Sequence, residues 1–400
     1  MKPPPRFSDL PPPSPALRGW TSLPSSPPPR PAGPLPRLSL VTPSFNQAAY
    51  LEETIRSVLL QGYPDLQYIV IDGGSTDGSV EIIRKYAPWL DYWESQPDRG
   101  QSHAINKGLV RCDGTWFNWL CSDDYLLPGA LAALAATGAE VPDAKIVAGV
   151  TENLRAETVF GCYAARVERS APEVFFSLGI NQPGSLVDLA AVRRLGGVRE
   201  DLHLTMDLDL WLRLLARHGA VAFADTPRPV ARYRYHAASK TCSAAEVFAL
   251  DEFALLFDLA RQCGVVPPPP VAALRRLSTL PESSFPFATP PDPSAAAVAW
   301  LRRLVVTDTL LFRALLRARA DQRAIGSEFI ALLDSLRPAV ARHFPGRDRE
   351  IEGRALILAQ QSLGRLDGKM TRRALRRAPG VGTALETLRL AARRLRQDSA

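Results

Sequence analysis

The 400-residue chain predicts an α/β fold, a mainly parallel sheet with helices on both faces, followed by a C-terminal helical appendage. Three observations predict it. Between Leu38 and Leu120, short apolar runs alternate with stretches of helical periodicity, giving β-α-β-α-β-α-β with connections short enough for right-handed crossovers in one sheet. The last run, Trp116 to Leu120, is continuous, apolar and rich in aromatic residues, the habit of a strand buried on both faces. Just beyond it stand two adjacent carboxylates, Asp123 and Asp124, where such a strand opens into the crevice in which α/β sheets bind ligands.

Taken in order, residues 1–36 are rich in Pro and Ser and bury too little apolar surface to order themselves, so a disordered segment is expected there. Leu38 to Val41 reads as the first strand, Thr42 to Gln47 as a polar turn, and Leu51, Ile55, Val58 and Leu59 as the apolar stripe of a helix. Tyr68 to Ile71 is the second strand and ends at Asp72. The loop Gly73–Ser79 combines three glycines with hydroxyl and carboxylate caps and opens a helix through Val80 and Ile83. On the residues alone it is either a well-capped βα turn or a ligand loop. In the second case Asp72 repels a phosphate and instead accepts hydrogen bonds from a base or a ribose. Tyr92-Trp93 makes a short strand, Pro97–Gln101 a loop, and Ser102 to Val110 a helix. Pro128-Gly129 starts the next helix, and Ala144 to Val150 is a further strand.

Adjacent acids repel, so burial near Asp123 and Asp124 calls for a cation or a hydrogen-bonding ligand and points to a metal-bound phosphate compound. A solvated Asp-Asp turn is the bland alternative. The blocks LVTPSFNQAAYLEETIRSVLLQGYPDLQYIVIDGGSTDGS, SQPDRGQSHAINKGL and WLCSDDYLLPGAL, in this order and spacing, resemble the family 2 glycosyltransferases with the GT-A (Rossmann-like) fold. The resemblance runs from about Arg37 to Thr241.

The resemblance implies that Thr42, Pro43, Phe45 and Asp72 hold the uracil and ribose of a nucleotide-sugar donor, with Arg99 and Asn106 lining the nucleotide site. Lys107 is either a further member of that lining or a solvated helix residue. Asp123 is implied toward the ribose and Asp124 toward a divalent metal, Mg2+ or Mn2+, which few protein oxygens and the donor's two phosphates would hold. The element reads Cys121-Ser122-Asp123-Asp124, with serine at the first acidic position of a literal Asp-x-Asp. Asp207 falls where the family carries its catalytic carboxylate, usually as Glu-Asp, with Met206 replacing the Glu. An inverting displacement needs one base and no nucleophile, so Asp207 is the candidate base. Asp209 suits the favourable place of a charge in a first helical turn. His236, after an alternating strand, is implied as a cap on metal or diphosphate or is structural; Arg234 and Lys240 are further phosphate neighbours.

The 36 prolines cluster before Arg37 and between Val266 and Pro293, which divides the chain into residues 1–36, a GT-A glycosyltransferase domain over 37–262, a Pro-rich linker over 263–296 and a helical region over 297–400. Five cysteines without metal-ligand spacing indicate neither a zinc site nor a disulfide framework and fit a reducing compartment. The N-terminal sequence has no apolar h-region and no run of about 18 apolar residues occurs, so neither a secretion signal nor a spanning helix is expected. A cytoplasmic protein follows, with a peripheral place at the inner face of the membrane if its tail binds there. The net charge of +7 is concentrated near the C-terminus, where Lys369, Arg372, Arg373, Arg376 and Arg377 precede a second helix carrying Val381, Leu385, Leu388 and Leu395. That basic amphipathic tail is either an anionic-membrane contact or a solvated arginine-rich helix. Nucleic acid is not expected as a partner, since no aromatic platform accompanies the charges.

The sequence thus predicts inverting transfer of a sugar from a nucleotide-diphosphate donor, UDP-linked, to a hydroxyl of a glycan or lipid-linked acceptor. A catalytically silent GT-A module that binds a glycan or nucleotide as a scaffold is the alternative of another class. A nucleotidyltransferase is disfavoured because its Gly-rich, Arg-Lys start motif is missing.

Overall fold

A computed structural model describes residues 4–15, 17–22, 35–164, 180–218, 220–262, 368–377 and scattered positions between 275 and 356. The chain divides into two compact units, the first comprising residues to Arg169 together with Leu178–Ser243, the second Ser170–Ser177 and Ala244–Ala400.

In the first unit, four strands follow the expected order. β1 (Leu38–Ser44), β2 (Leu66–Asp72), β3 (Tyr92–Ser95) and β4 (Trp116–Trp119) are joined by α1 (Ala48–Leu59), α2 (Ser79–Tyr86) and α3 (Gln101–Arg111). β1 pairs in parallel with β2 and β4, and β2 with β3, so their carboxyl ends share one edge. β1 and β4 are buried along their whole length, because helices cover both faces. Leu51, Ile55 and Val58 of α1 have no exposed surface, and burial of each such side chain contributes about 1.5–3 kcal/mol. On the other face α3 approaches β1 at Gly108, where a Cβ would meet Val41 Cγ1 at 2.5 Å. Only glycine allows that contact.

The second half of the sheet is mixed. β5 (Tyr125–Leu126), α4 (Ala130–Glu140), β6 (Ile146–Arg155), β7 (Thr158–Tyr163), β8 (Ser185–Asp188), α5 (Leu189–Arg194), α6 (Met206–His218) and β9 (Phe223–Arg234) complete the order β3-β2-β1-β4-β8-β6-β9-β5, with β7 on β6. β8 runs antiparallel to both β4 and β6, while β9 runs parallel to β6. The expected strand Ala144–Val150 is β6, which continues to Arg155 to pair with β7.

Two expectations are corrected. Residues 4–15 and 17–22, expected to be disordered, lie against α1 and α2. Arg56 of α1 is fully buried; its Nε donates to the Thr21 carbonyl (2.7 Å), its Nη1 to the Pro11 carbonyl (2.9 Å), and its guanidinium stands 4.9 Å from the Phe7 ring centroid. Lys85 donates to the Pro12 carbonyl and the Ser14 amide to Glu52. A Pro-rich chain lacks many N–H donors but keeps every carbonyl, so it suits a surface presenting cations. Second, the α/β unit ends at Ser243, not at residue 262. After α7 (Lys240–Ser243), α8 (Ala245–Gln262) belongs to the second unit, where its buried Asp258 pairs with Arg275 at 2.6 Å. The first unit closes just after the sheet's last strand and the short helix that follows it. The linker 263–296 and the tail beyond residue 377 lie outside the described residues, as does most of the region 297–367. Within the second unit α9 (Gly368–Arg377) carries the first basic cluster. Among the described residues no helix is long and apolar enough to cross a membrane.

Candidate donor and metal site

After β4, the Leu120 amide still donates to Val41, and the chain then turns through Cys121–Asp124, closed by the Asp124 amide on the Cys121 carbonyl (3.0 Å). Two elements hold this turn. Thr54 of α1 places its hydroxyl 2.9 Å from the Ser122 carbonyl and 2.6 Å from that of Asp124. From β9, Arg234 donates its Nη1 to the Asp123 carbonyl (2.5 Å) and its Nη2 to Glu53 (2.7 Å), sandwiched between the rings of Tyr50 and Tyr125. Arg234, read from the sequence as a phosphate neighbour, is therefore a buried clamp on the acidic turn.

Asp124 is 1% exposed. Its Oδ1 accepts the Arg234 amide at 2.9 Å, while its buried Oδ2 has no hydrogen-bond partner. Burial, reinforced by neighbouring Asp123, pushes the Asp124 carboxyl well above the usual carboxylate range. Asp123 is more open; its Oδ2 lies 3.0 Å from His236 Nε2, and the His236 ring stacks obliquely near Tyr50. Oxygen and sulfur atoms of Cys121, Asp123 and Asp124 lie within 4.8 Å of one another. Cys121 is a poor ligand for a hard ion: burial raises its thiol well above the usual range, and the sulfur accepts from Gln101 Nε2 (3.1 Å) and faces Gln182 Oε1 (3.7 Å). The two carboxylates, one of them with a buried oxygen that has no hydrogen-bond partner, fit Mg2+ or Mn2+.

On the nucleotide side, Thr42 and Pro43 are buried within β1, and the Thr42 hydroxyl is 2.9 Å from the Tyr68 phenol. These two shape the strand end and present no free polar group. Phe45, 60% exposed, projects from the turn after them. Asp72 is fully buried and organises its own loop, accepting from the Gly74 and Ser75 amides and from the hydroxyls of Ser75 (2.5 Å) and Ser95 (2.7 Å). Asn46, Asp77 and Ser79 stitch this loop to the β1–α1 turn. Beside Asp72 in register is Ser44, whose buried hydroxyl has no hydrogen-bond partner.

The remaining candidates divide. Asn106 is committed to structure: its Nδ2 donates to the Val198 carbonyl (2.7 Å), and its Oδ1 accepts the Val198 amide (3.0 Å). Arg99 is exposed and pairs with Glu200 at 2.5 Å, and Lys107 pairs with Glu94. Asp207, half-buried in the first turn of α6, accepts the Leu208 amide; its charge acts on both Cys121 and Lys240. Asp123 acts on Lys240 as well, so the base candidate and the acidic turn share one neighbourhood. Lys240 Nζ donates to Gln101 Oε1 and to the His203 carbonyl, both at 2.7 Å. Asp209 is no surface helix charge: it is fully buried between Arg213 (2.6 Å) and Arg199 (3.5 Å). Sequence reasoning missed Thr54 and Glu53, single polar residues inside a helical pattern with no signal of their own; Gln101 and Gln182 lie in the blocks DRGQ and NQPGS, without a role assigned to either side chain.

A four-strand parallel edge bearing an acidic turn, a capped Gly-rich loop and a carboxylate on a later helix defines a GT-A-type α/β domain. Residues 39–160 match the family model "Glycosyl transferase family 2". An uncharacterized glycosyltransferase of Mycobacterium tuberculosis is 40% identical over 85 residues, 20% of this chain and 32% of that protein. The GalNAc(5)-diNAcBac-PP-undecaprenol beta-1,3-glucosyltransferase of Campylobacter jejuni is 35% identical over 104 residues, 25% of this chain and 34% of that protein. The alignments thus span about a third of these relatives' lengths. The structure of residues 1–349 of S. aureus TarS is similar in fold, with a TM-score of 0.51 at 17% identity over 85% of this chain and 91% of that one.

Proposed function

We propose that this protein transfers a sugar, with inversion, from a UDP-sugar to a hydroxyl of a glycan or lipid-linked acceptor. One observation carries the reading: two buried oxygens without partners, Asp124 Oδ2 and Ser44 Oγ, sit at the carboxyl edge of neighbouring parallel strands, where a metal-bound nucleotide would satisfy both. Phe45 offers an exposed ring beside the Asp72 loop for a base to lie on. The name of the Campylobacter relative, which acts on a diphosphate-linked undecaprenol, supports a lipid-linked acceptor.

Asp124, with Asp123, would hold a divalent ion, and that ion supplies charge neutralisation for the departing diphosphate. The chain's own residues do the rest. Asp207 takes the proton of the acceptor hydroxyl; the oxygen forms its bond to the anomeric carbon as the bond to the donor phosphate breaks, releasing UDP. Lys240, tethered by Gln101 and His203, adds positive charge beside the acidic turn. Glu53 and Arg234 keep that turn from relaxing.

The test is release of UDP from a panel of UDP-sugars with Mn2+ present. The parent releases UDP from at least one donor, and Asp207→Asn lowers turnover by about 10²–10⁴-fold. UDP binding without turnover on any donor and acceptor panel would favour the silent scaffold.

A further inference from the structure

The second unit contains a cleft of about 550 Å³ lined by Arg337, Arg349, Lys369, Arg372, Arg373 and Arg376. Four of the six come from one flank of α9, spaced 369, 372, 373 and 376, while Met370 and Ala374 on its other side are fully buried. The helix is thus anchored by its apolar side and turns a basic stripe into the concavity. Among the described residues the compensating acids are few. Asp334 is shared by Arg337 and Arg373, each at 2.5 Å, and Glu352 pairs with Arg373. Among the described residues Arg349, Arg372 and Arg376 face the cleft with no carboxylate partner.

Concentrating like charges in a concave space costs energy, and the field there is focused rather than dispersed. A flat membrane-binding face would instead splay such side chains over a convex surface with apolar residues beside them. Guanidinium forks match phosphate oxygens bidentately, and several converging on one volume suit a ligand carrying more than one phosphate. We propose that this cleft binds a diphosphate or short polyphosphate group, at a site separate from the donor site of the first unit. The group is either free or the head of a lipid diphosphate.

The experiment uses the full-length protein with EDTA present, which removes metal-dependent binding at the donor site. Inorganic pyrophosphate is titrated calorimetrically into the parent, into Arg372→Ala/Arg376→Ala and into Asp124→Ala. The double variant removes side chains that have no ion-pair partner among the described residues and leaves Arg373, Asp334 and Glu352 intact; its circular dichroism and melting temperature serve as the folding control. The expected result is saturable binding to the parent and to Asp124→Ala, weaker in the double variant by roughly tenfold or more. Flotation with phosphatidylcholine vesicles carrying a polyprenyl diphosphate distinguishes the lipid source: binding there that pyrophosphate competes away assigns the cleft to a lipid head group, and its absence assigns it to the free ion. Equal affinity of parent and folded double variant, loss in Asp124→Ala, or binding only to phosphatidylglycerol vesicles with none to pyrophosphate would each overturn the proposal.

Discussion

Replacing Asp124 by Asn tests the acidic turn through a property that does not require turnover. In the parent, Asp124 Oδ2 is buried without a partner, which costs about 1–3 kcal/mol, and burial holds the carboxyl well above its usual range. A group whose folded pKa is raised contributes most to stability at low pH and loses that contribution as pH rises through the folded value, so ionisation without a cation is penalised at neutral pH. Asn keeps the Oδ1 acceptor for the Arg234 amide, removes the ionisation and places a donor near Asp123. At about 2–4 °C per kcal/mol, the metal-free variant should melt roughly 2–12 °C above the metal-free parent at neutral pH. Mn2+ should reverse the order. At a hundredfold excess over its dissociation constant, Mn2+ stabilises the parent by about 2.7 kcal/mol, with a smaller gain in acid because the carboxyl must first lose its proton. Differential scanning fluorimetry at neutral and acid pH, with Mn2+ or EDTA, reads both effects. The reasoning fails if Mn2+ stabilises Asp124→Asn as much as the parent, or if the parent's gain is the same at both pH values.

Three further outcomes are expected. Arg234→Met leaves Glu53 buried without its cation and frees the Asp123 carbonyl, so chemical denaturation should show a loss of about 3–5 kcal/mol, with Glu53→Gln/Arg234→Met recovering part of it. Deleting residues 1–22 strips buried Arg56 of the Thr21 and Pro11 carbonyls, a loss of about 2–4 kcal/mol by the same measurement; Arg56→Met in the truncated chain should restore some of it. Asp207→Asn should leave UDP affinity in calorimetry within about twofold of the parent while turnover falls, because the side chain is assigned to the acceptor's proton and not to the nucleotide.

The parallel half of the fold was legible because both faces of its strands are covered, which forces unbroken apolar runs at Leu38, Tyr68 and Trp116 separated by helical stripes. The mixed half was not. β9 carries two prolines and three arginines over Phe223–Arg234, and its pairing with β6 includes register shifts, which only the folded sheet specifies. Of the site, the acids at the strand ends were legible and their surroundings were not. Arg234 read as a phosphate neighbour and Asp209 as a helix-terminus charge, while nothing in the sequence singled out Arg56; each is buried because a partner that the linear sequence does not announce compensates it: Glu53, Arg199 and the Thr21 carbonyl, respectively. The partner of Asn106 was hidden for the same reason, since the Val198 backbone that its amide engages lies 92 residues away. The proline-rich start read as unable to fold alone, yet its residues 4–15 and 17–22 lie as an acceptor surface for cations on α1 and α2.

The most direct test of the site is a crystal of the full-length protein grown with UDP and Mn2+, examined for anomalous scattering at the manganese edge. The account predicts one peak in coordination contact with the Asp124 carboxylate and the UDP diphosphate, with Asp207 facing the sugar side of that diphosphate. A peak elsewhere in the first unit, or a nucleotide bound with Asp207 turned away from its diphosphate, would contradict it.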